Sequence, residues 1–136
     1  MTLAIFIPML MDTGGNAGAQ SSTLMIRSIA LGEVQYRDFF TVLWKELRFG
    51  LLCGLVLALL NTVRILLVRD ASIAVAIVVN ISIIAKVVFS KVLRGILPIL
   101  SDKVGMDPAM LTGPLITTVV DTYALLIYFA MASLLL

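Results

Sequence analysis

The chain has 136 residues, of which 61% are hydrophobic and 13% are charged, and its formal net charge is +2 at pH 7. Soluble domains usually carry about 25% charged residues, so this composition and a mean hydropathy of +1.13 exclude an ordinary soluble enzyme. There is no histidine and one cysteine, which argues against a zinc site and excludes an internal disulfide. We expect a membrane protein in a lipid bilayer that is not an enzyme and binds no nucleic acid.

Four long apolar segments predict an all-α membrane protein with four transmembrane helices. They cover residues 3–31, 49–68, 72–93 and 109–136, and each approaches or exceeds the about 20 residues that a spanning helix needs. Continuous runs of this length favour helices over the alternating segments of a β-barrel. We expect residues 1–136 to form a single transmembrane pore domain without a soluble regulatory domain.

The first segment is polar at its centre. Asp12, Asn16 and Gln20 recur at spacing i, i+4, i+8 and therefore share one helix face. Polar groups at bilayer depth are costly unless they face protein, water or an ion, and carboxylate and amide oxygens are ligands of Mg²⁺ and Ca²⁺. Gly14 and Gly15 leave bare backbone that a second helix or a hydrated ion can approach. This stretch predicts an ion pathway; the alternative is a helix contact built from small residues.

The next two connections set the topology. Residues 32–48 predict an amphipathic interfacial helix, with Trp44 at headgroup depth. The turn at residues 68–71 is short, so the second and third helices should be antiparallel neighbours. Basic residues concentrate in the first and third connections, which places both in the cytoplasm and both termini outside. That arrangement suggests that a preceding helix is missing from this sequence.

The last connection contains residues that interrupt helices and a pair that starts one. Gly95, Pro98 and Gly105 predict a broken connection, and Asp107 followed by Pro108 predicts a helix start.

Within the fourth segment, Gly113, Thr117 and Asp121 fall at spacing i, i+4, i+8. A carboxylate near the bilayer midplane costs at least about 2.5 kcal/mol on insertion scales, so Asp121 predicts an ion site. The alternative is an ion pair with Lys86, although we expect Lys86 to extend towards the cytoplasmic end beside Lys91 and Arg94.

Isolated polar residues on the middle helices have a simpler interpretation. Asn61 and Asn80 predict interhelical hydrogen bonds rather than ligands. One chain offers few intramembrane acids, whereas a symmetric dimer would place two Asp121 carboxylates about its two-fold axis. Because Mg²⁺ loses its waters reluctantly, such a pair could hold a hydrated ion.

Two motifs stand out when the first and last segments are considered together. The first comprises Pro8, Thr13-Gly14-Gly15-Asn16-Ala17-Gly18, Gln20-Ser21, Arg27 and Ala30-Leu31-Gly32-Glu33-Val34. The second comprises Asp107-Pro108-Ala109, Gly113-Pro114 and Thr117-Thr118-Val119-Val120-Asp121. They resemble the second and the last membrane helix, respectively, of the MgtE-type magnesium channels. Members of that family usually have five membrane helices, and the first has no counterpart here.

The resemblance implies a homodimer whose pore is lined by residues 3–31 and 109–136, with Asp121 as the main magnesium ligand. We expect a magnesium-selective channel or transporter for uptake across the inner cell membrane. The expected metal residues are Asp121, Thr117, Gly113, Asn16, Gly15 and Asp12. Two alternatives remain open: a divalent-metal carrier coupled to Na⁺ or H⁺, with Asp12 as a coupling site, and a membrane scaffold subunit that does not transport.

Overall fold

The computed structural model describes residues 2–69, 71–111 and 113–136, and every regular element in these ranges is helical. The elements are α1 (Thr2–Ala30), a 3-10 turn (Tyr36–Asp38), α2 (Phe39–Val68), α3 (Ile73–Val104), the short α4 (Pro108–Leu111) and α5 (Pro114–Leu135). The predicted all-α class is confirmed.

Three of the described helical segments are long and apolar enough to cross a membrane. They are Tyr36–Val68, Ile73–Val104 and Pro114–Leu135. Helix α1 has 29 residues but is not among the three, which fits the polar residues at its centre. The prediction that α1 is a fourth span stays a prediction.

Helices α2 and α3 pack closely as antiparallel neighbours, as the short turn predicts. A Cβ on Gly50 would lie 3.0 Å from Cα of Val88, and one on Gly54 would lie 3.0 Å from Cα of Ile84. The two glycines thus let the helix backbones approach. Arg69 ends α2 in the left-handed conformation, with φ 55°; Asp70, the next residue of the predicted turn, lies outside the described residues.

The amide side chains predicted to bridge helices do so. Asn61 Nδ2 donates to Asn80 Oδ1 at 2.8 Å, and Asn80 Nδ2 donates to Thr62 Oγ1 at 2.7 Å. This network joins α2 to α3. It also satisfies polar groups that could not form hydrogen bonds with lipid.

Helix α3 lies at the centre of the bundle and contacts α1, α2 and α5. Helix α1 runs parallel to it, since Ser90 of α3 bonds the carbonyl of Gly14 and Ser22 bonds the carbonyl of Arg94. Helix α5 runs antiparallel to α1, with Tyr128 Oη donating to the Leu3 carbonyl at 2.8 Å. The main apolar core lies where these helices meet, at Phe6, Leu10, Val78, Val79, Ile83, Val87 and Tyr128.

The interfacial helix expected within residues 32–48 is not found as a separate element, because residues 39–48 continue without a break into α2. No glycine or proline interrupts the sequence between Phe39 and Gly50, so each added residue extends the helical hydrogen bonding. Glu46 is buried in this segment and its Oε2 accepts a 2.7 Å hydrogen bond from Ser21 Oγ. The segment therefore packs on α1 rather than standing apart from the bundle.

The expected break at Gly95 and Pro98 is also corrected. Helix α3 continues through both residues to Val104 and ends at Gly105, whose φ is 82°. Pro98 is buried inside it, and packing with substitute hydrogen bonds makes a proline tolerable in such a helix. The predicted start at Pro108 is confirmed, but that helix is only α4, and α5 begins at Pro114.

Candidate functional site

Asp121 lies on α5 and forms an ion pair with Lys86 of α3. Lys86 Nζ donates to Asp121 Oδ1 at 2.8 Å, and the side chains are 0% and 26% exposed, respectively. The interpretation that Lys86 extends to the cytoplasmic end beside Lys91 and Arg94 is therefore wrong. The half-buried acid holds the fully buried lysine inside the bundle, because breaking such a pair would leave an unpaired buried charge.

The Lys86 ammonium group has two further partners on the backbone of α1. It donates to the carbonyl of Met11 at 2.7 Å and to the carbonyl of Leu10. An ammonium group has three donors, so all three are satisfied by Asp121 and these two carbonyls. Lys86 thereby connects α1, α3 and α5 at a single nitrogen atom.

Two glycines of α1 make room for cationic side chains of α3. A Cβ on Gly14 would lie 2.7 Å from Cγ and 2.9 Å from Cδ of Lys86, and one on Gly18 would lie 2.5 Å from Cδ of Arg94. Ser90, between the two cations, donates to the Gly14 carbonyl at 2.6 Å. The predicted close approach is confirmed at Gly14 but not at Gly15, and it occurs at Gly18 as well; the approaching groups are side chains of α3.

Thr117 lies one turn before Asp121 and is also bound by a cation. Arg94 Nη2 donates to Thr117 Oγ1 at 2.7 Å, and Arg94 is buried with 5% exposure. Gly113 caps the start of α5, and nothing lies within 4 Å of a Cβ placed there. Thr117 and Asp121 thus lie against α3, whereas Gly113, at the same helical spacing, has open space beside it.

The predicted site residues of α1 lie on a different surface. Asp12 and Asn16 are exposed, Gly15 is half-buried, and a Cβ on Gly15 would have open space around it. Within the described part of the chain, no three acidic, histidine or cysteine side chains group together as a metal site. A site for a hard cation at Asp121 would therefore draw on backbone oxygens, hydroxyls, waters or a second copy.

Sequence reasoning gave the Lys86–Asp121 pair only as an alternative and missed the partners of Ser90 and Arg94. Lys86, Ser90 and Arg94 have the same i, i+4, i+8 spacing that drew attention to the other two helices, so they share one face of α3. That periodicity was the available signal. Each member meets a partner on α1 or α5.

Comparison with known proteins identifies a family that covers nearly the whole chain. Residues 7–131 match the family model MgtE, described as a divalent cation transporter. The chain is 40% identical over 134 residues to the magnesium transporter MgtE of Thermus thermophilus. Identity is 33% over 133 residues to the protein of that name from Enterococcus faecalis and 31% over 133 residues to that from Bacillus subtilis.

These alignments include 97–98% of this chain but 29% of each relative, so the chain spans less than a third of the relatives' length. The family is one of transporters rather than enzymes. Together with the three apolar helices, it identifies a multi-pass membrane protein. By the extent of the match and its two helix motifs, the chain belongs to the MgtE family of divalent cation transporters.

Proposed function

We propose that this chain is a membrane pore domain for Mg²⁺ uptake across the cell membrane, with the pore at the interface of a homodimer and Asp121 as the central ion site. The observation that carries the proposal is the position of Asp121, an acid on an apolar helix whose side chain keeps 26% exposure after the bundle has packed. Carboxylates within apolar membrane-spanning helices often mark an ion pathway.

A second copy would cover a surface that lipid covers poorly. Asp12 and Asn16 are exposed on α1, and polar side chains there favour protein or water over hydrocarbon. The open backbone at Gly15 suits a close contact or a hydrated ion. In a two-fold dimer the same residues of both copies would face each other, which doubles the number of oxygens along the path.

In the proposed pathway Mg²⁺ keeps much of its hydration shell. Hydrated Mg²⁺ enters from outside, pauses between the two Asp121 carboxylates and leaves to the cytoplasm past Thr117 and Gly113. The electrochemical gradient drives the flux. Mg²⁺ gives up water reluctantly and is commonly held by one or two carboxylates with waters in the remaining positions, so two acids suffice.

Growth of a cell that lacks its own magnesium transporters tests this proposal. The wild-type chain should restore growth at low Mg²⁺, and Asp121→Ala should not. Asp102→Asn is the matched control, since Asp102 is an exposed acid near the end of α3. Full rescue by Asp121→Ala at wild-type membrane levels contradicts the assignment.

One observation favours a second function. The Lys86–Asp121 pair is also what a non-transporting membrane subunit would use to join its helices. Such a subunit would bind no Mg²⁺, so titration calorimetry on the purified protein distinguishes the two functions.

A third candidate, a divalent-metal carrier coupled to Na⁺ or H⁺ with Asp12 as the coupling site, draws on the exposure of that acid. Mg²⁺ flux that persists with no Na⁺ or H⁺ gradient contradicts it.

A further inference from the structure

The Lys86 ammonium group is surrounded by oxygens of the kinds that bind metal cations in proteins. Its ammonium nitrogen is surrounded by one carboxylate oxygen of Asp121 and two backbone carbonyl oxygens, those of Leu10 and Met11. Carboxylate and carbonyl oxygens are also the ligands that Mg²⁺ and Ca²⁺ take in proteins. The three oxygens thus form a cation site that the protein fills with its own side chain.

The charge of this arrangement bears directly on ion binding. Lys86 is 0% exposed, so its charge is poorly screened by water, and it lies 2.8 Å from the acid. A paired ammonium and carboxylate carry no net charge. A divalent ion that approaches Asp121 therefore meets a neutral pair and a nearby positive charge rather than a free anion.

We propose that Lys86 is a tethered cation that competes with the divalent ion for Asp121 and keeps binding of that ion weak. This inference rests on the proposed function, because it concerns the same acid. When a divalent ion takes the carboxylate, the ammonium keeps its two carbonyl partners on α1 and is not left without acceptors. The exchange therefore needs only a small movement of Lys86.

Weak binding has a use in a pore. Conduction requires that an ion be held well enough to enter a site and loosely enough to leave it. Two Asp121 carboxylates without counter-charges would hold a divalent ion tightly. A lysine that returns to the acid as the ion departs lowers the free-energy cost of release.

Neutral substitutions of Lys86 test the competition. Lys86→Met removes the charge, and Lys86→Gln removes it while keeping hydrogen-bond donors for the carbonyls of α1. The assays are the MgCl₂-dependent rise in melting temperature of the purified chain and Mg²⁺ flux into proteoliposomes, with all variants compared at one fixed pH. Ser82→Ala is the matched control, since Ser82 is buried one turn earlier and its hydroxyl donates to the Val78 carbonyl of its own helix.

The proposal predicts that the half-saturating MgCl₂ concentration falls by about tenfold or more in both neutral variants, as loss of a nearby like charge requires. Maximal flux should fall as release slows, and Ser82→Ala should match the wild type. An unchanged or higher half-saturating concentration in both variants, while Asp121→Asn abolishes the Mg²⁺ response, overturns the competition and leaves the proposed function standing. If Asp121→Asn responds as the wild type does, both fall.

A measurement on the wild-type chain applies even where the variants do not fold. A hydrophobic carbodiimide adds to a carboxyl in an apolar environment to give an O-acylisourea, and the amine of a neighbouring lysine, once it has lost a proton, attacks the acyl carbon to form an amide and release the substituted urea. We expect a Lys86–Asp121 cross-link, detected by peptide mass spectrometry, whose yield falls as MgCl₂ rises and does not fall with an equal ionic strength of NaCl. A cross-link yield that is indifferent to MgCl₂ contradicts the proposal.

Discussion

Ser22 Oγ donates a 3.0 Å hydrogen bond to the backbone carbonyl of Arg94, and Pro98, four residues further along α3, has no N–H to offer that carbonyl. The hydroxyl on α1 therefore replaces a hydrogen bond that α3 cannot make for itself. This relationship explains how a buried proline is accommodated inside a continuous helix and ties α1 to α3 at that level.

Ser22→Ala should destabilise the fold by about 1–2 kcal/mol, because it leaves the Arg94 carbonyl without a donor. In a Pro98→Ala background the same change should cost much less, since the substituted alanine supplies the missing N–H. Unfolding of the four proteins in mixed micelles gives the double-mutant cycle. Equal costs of Ser22→Ala in the two backgrounds would contradict the relationship.

Gly54→Ala should destabilise the α2–α3 contact by about 1–3 kcal/mol, because its Cβ would press on the Ile84 backbone. Gly15→Ala is the matched comparison on α1, where a Cβ meets no atom of the same copy within 4 Å, and should cost less than Gly54→Ala. Thermal unfolding in detergent measures both. A reversed order of the two effects would contradict the packing described.

The Asn61–Asn80 hydrogen bond should contribute modestly. A cycle of Asn61→Leu, Asn80→Leu and the double variant should give a coupling of about 0.6 kcal/mol, the average for such bonds within membranes. The polar groups also contact Thr62 and Arg64, so each single change should cost more than the coupling itself. A coupling indistinguishable from zero would mean that the amides do not interact in the membrane.

The proposed dimer predicts contact between the two copies of the α1 polar face. Asn16→Cys in a Cys53→Ala background should form a disulfide-linked dimer in oxidised membranes. Leu59→Cys, at a position of α2 that is 65% exposed, is the matched control and should stay monomeric because that face meets lipid. Cross-linking at Leu59→Cys alone would place the interface on α2 and contradict the proposal.

The sequence predicted much of this architecture because hydrophobic length and turn length are strong signals. The helical class and the antiparallel pairing of α2 with α3 followed from them. Helix ends were harder, since Gly95 and Pro98 are breakers by local rules and yet pack inside α3. Burial and a donor from another helix decide such cases, and neither can be read from local sequence.

Asp121 could be singled out from the sequence as a candidate acid, but its pairing with Lys86 could not be decided from the sequence. Asp121 stands out on an apolar helix, whereas Lys86 could pair with it or extend to the membrane surface. The choice depends on the space beside Gly14 and on two backbone carbonyls of α1. Both features arise only when the helices pack. The sequence alone suggests a free acid, whereas in the packed bundle Asp121 is paired.

Mg²⁺ flux into proteoliposomes that contain the purified chain tests the central claim most directly. Wild type and Asp102→Asn should both take up Mg²⁺ down its gradient, with no Na⁺ or H⁺ gradient present. Asp121→Asn, folded and reconstituted to the same level, should reduce uptake to that of empty liposomes. Uptake by Asp121→Asn at the wild-type rate would contradict the account.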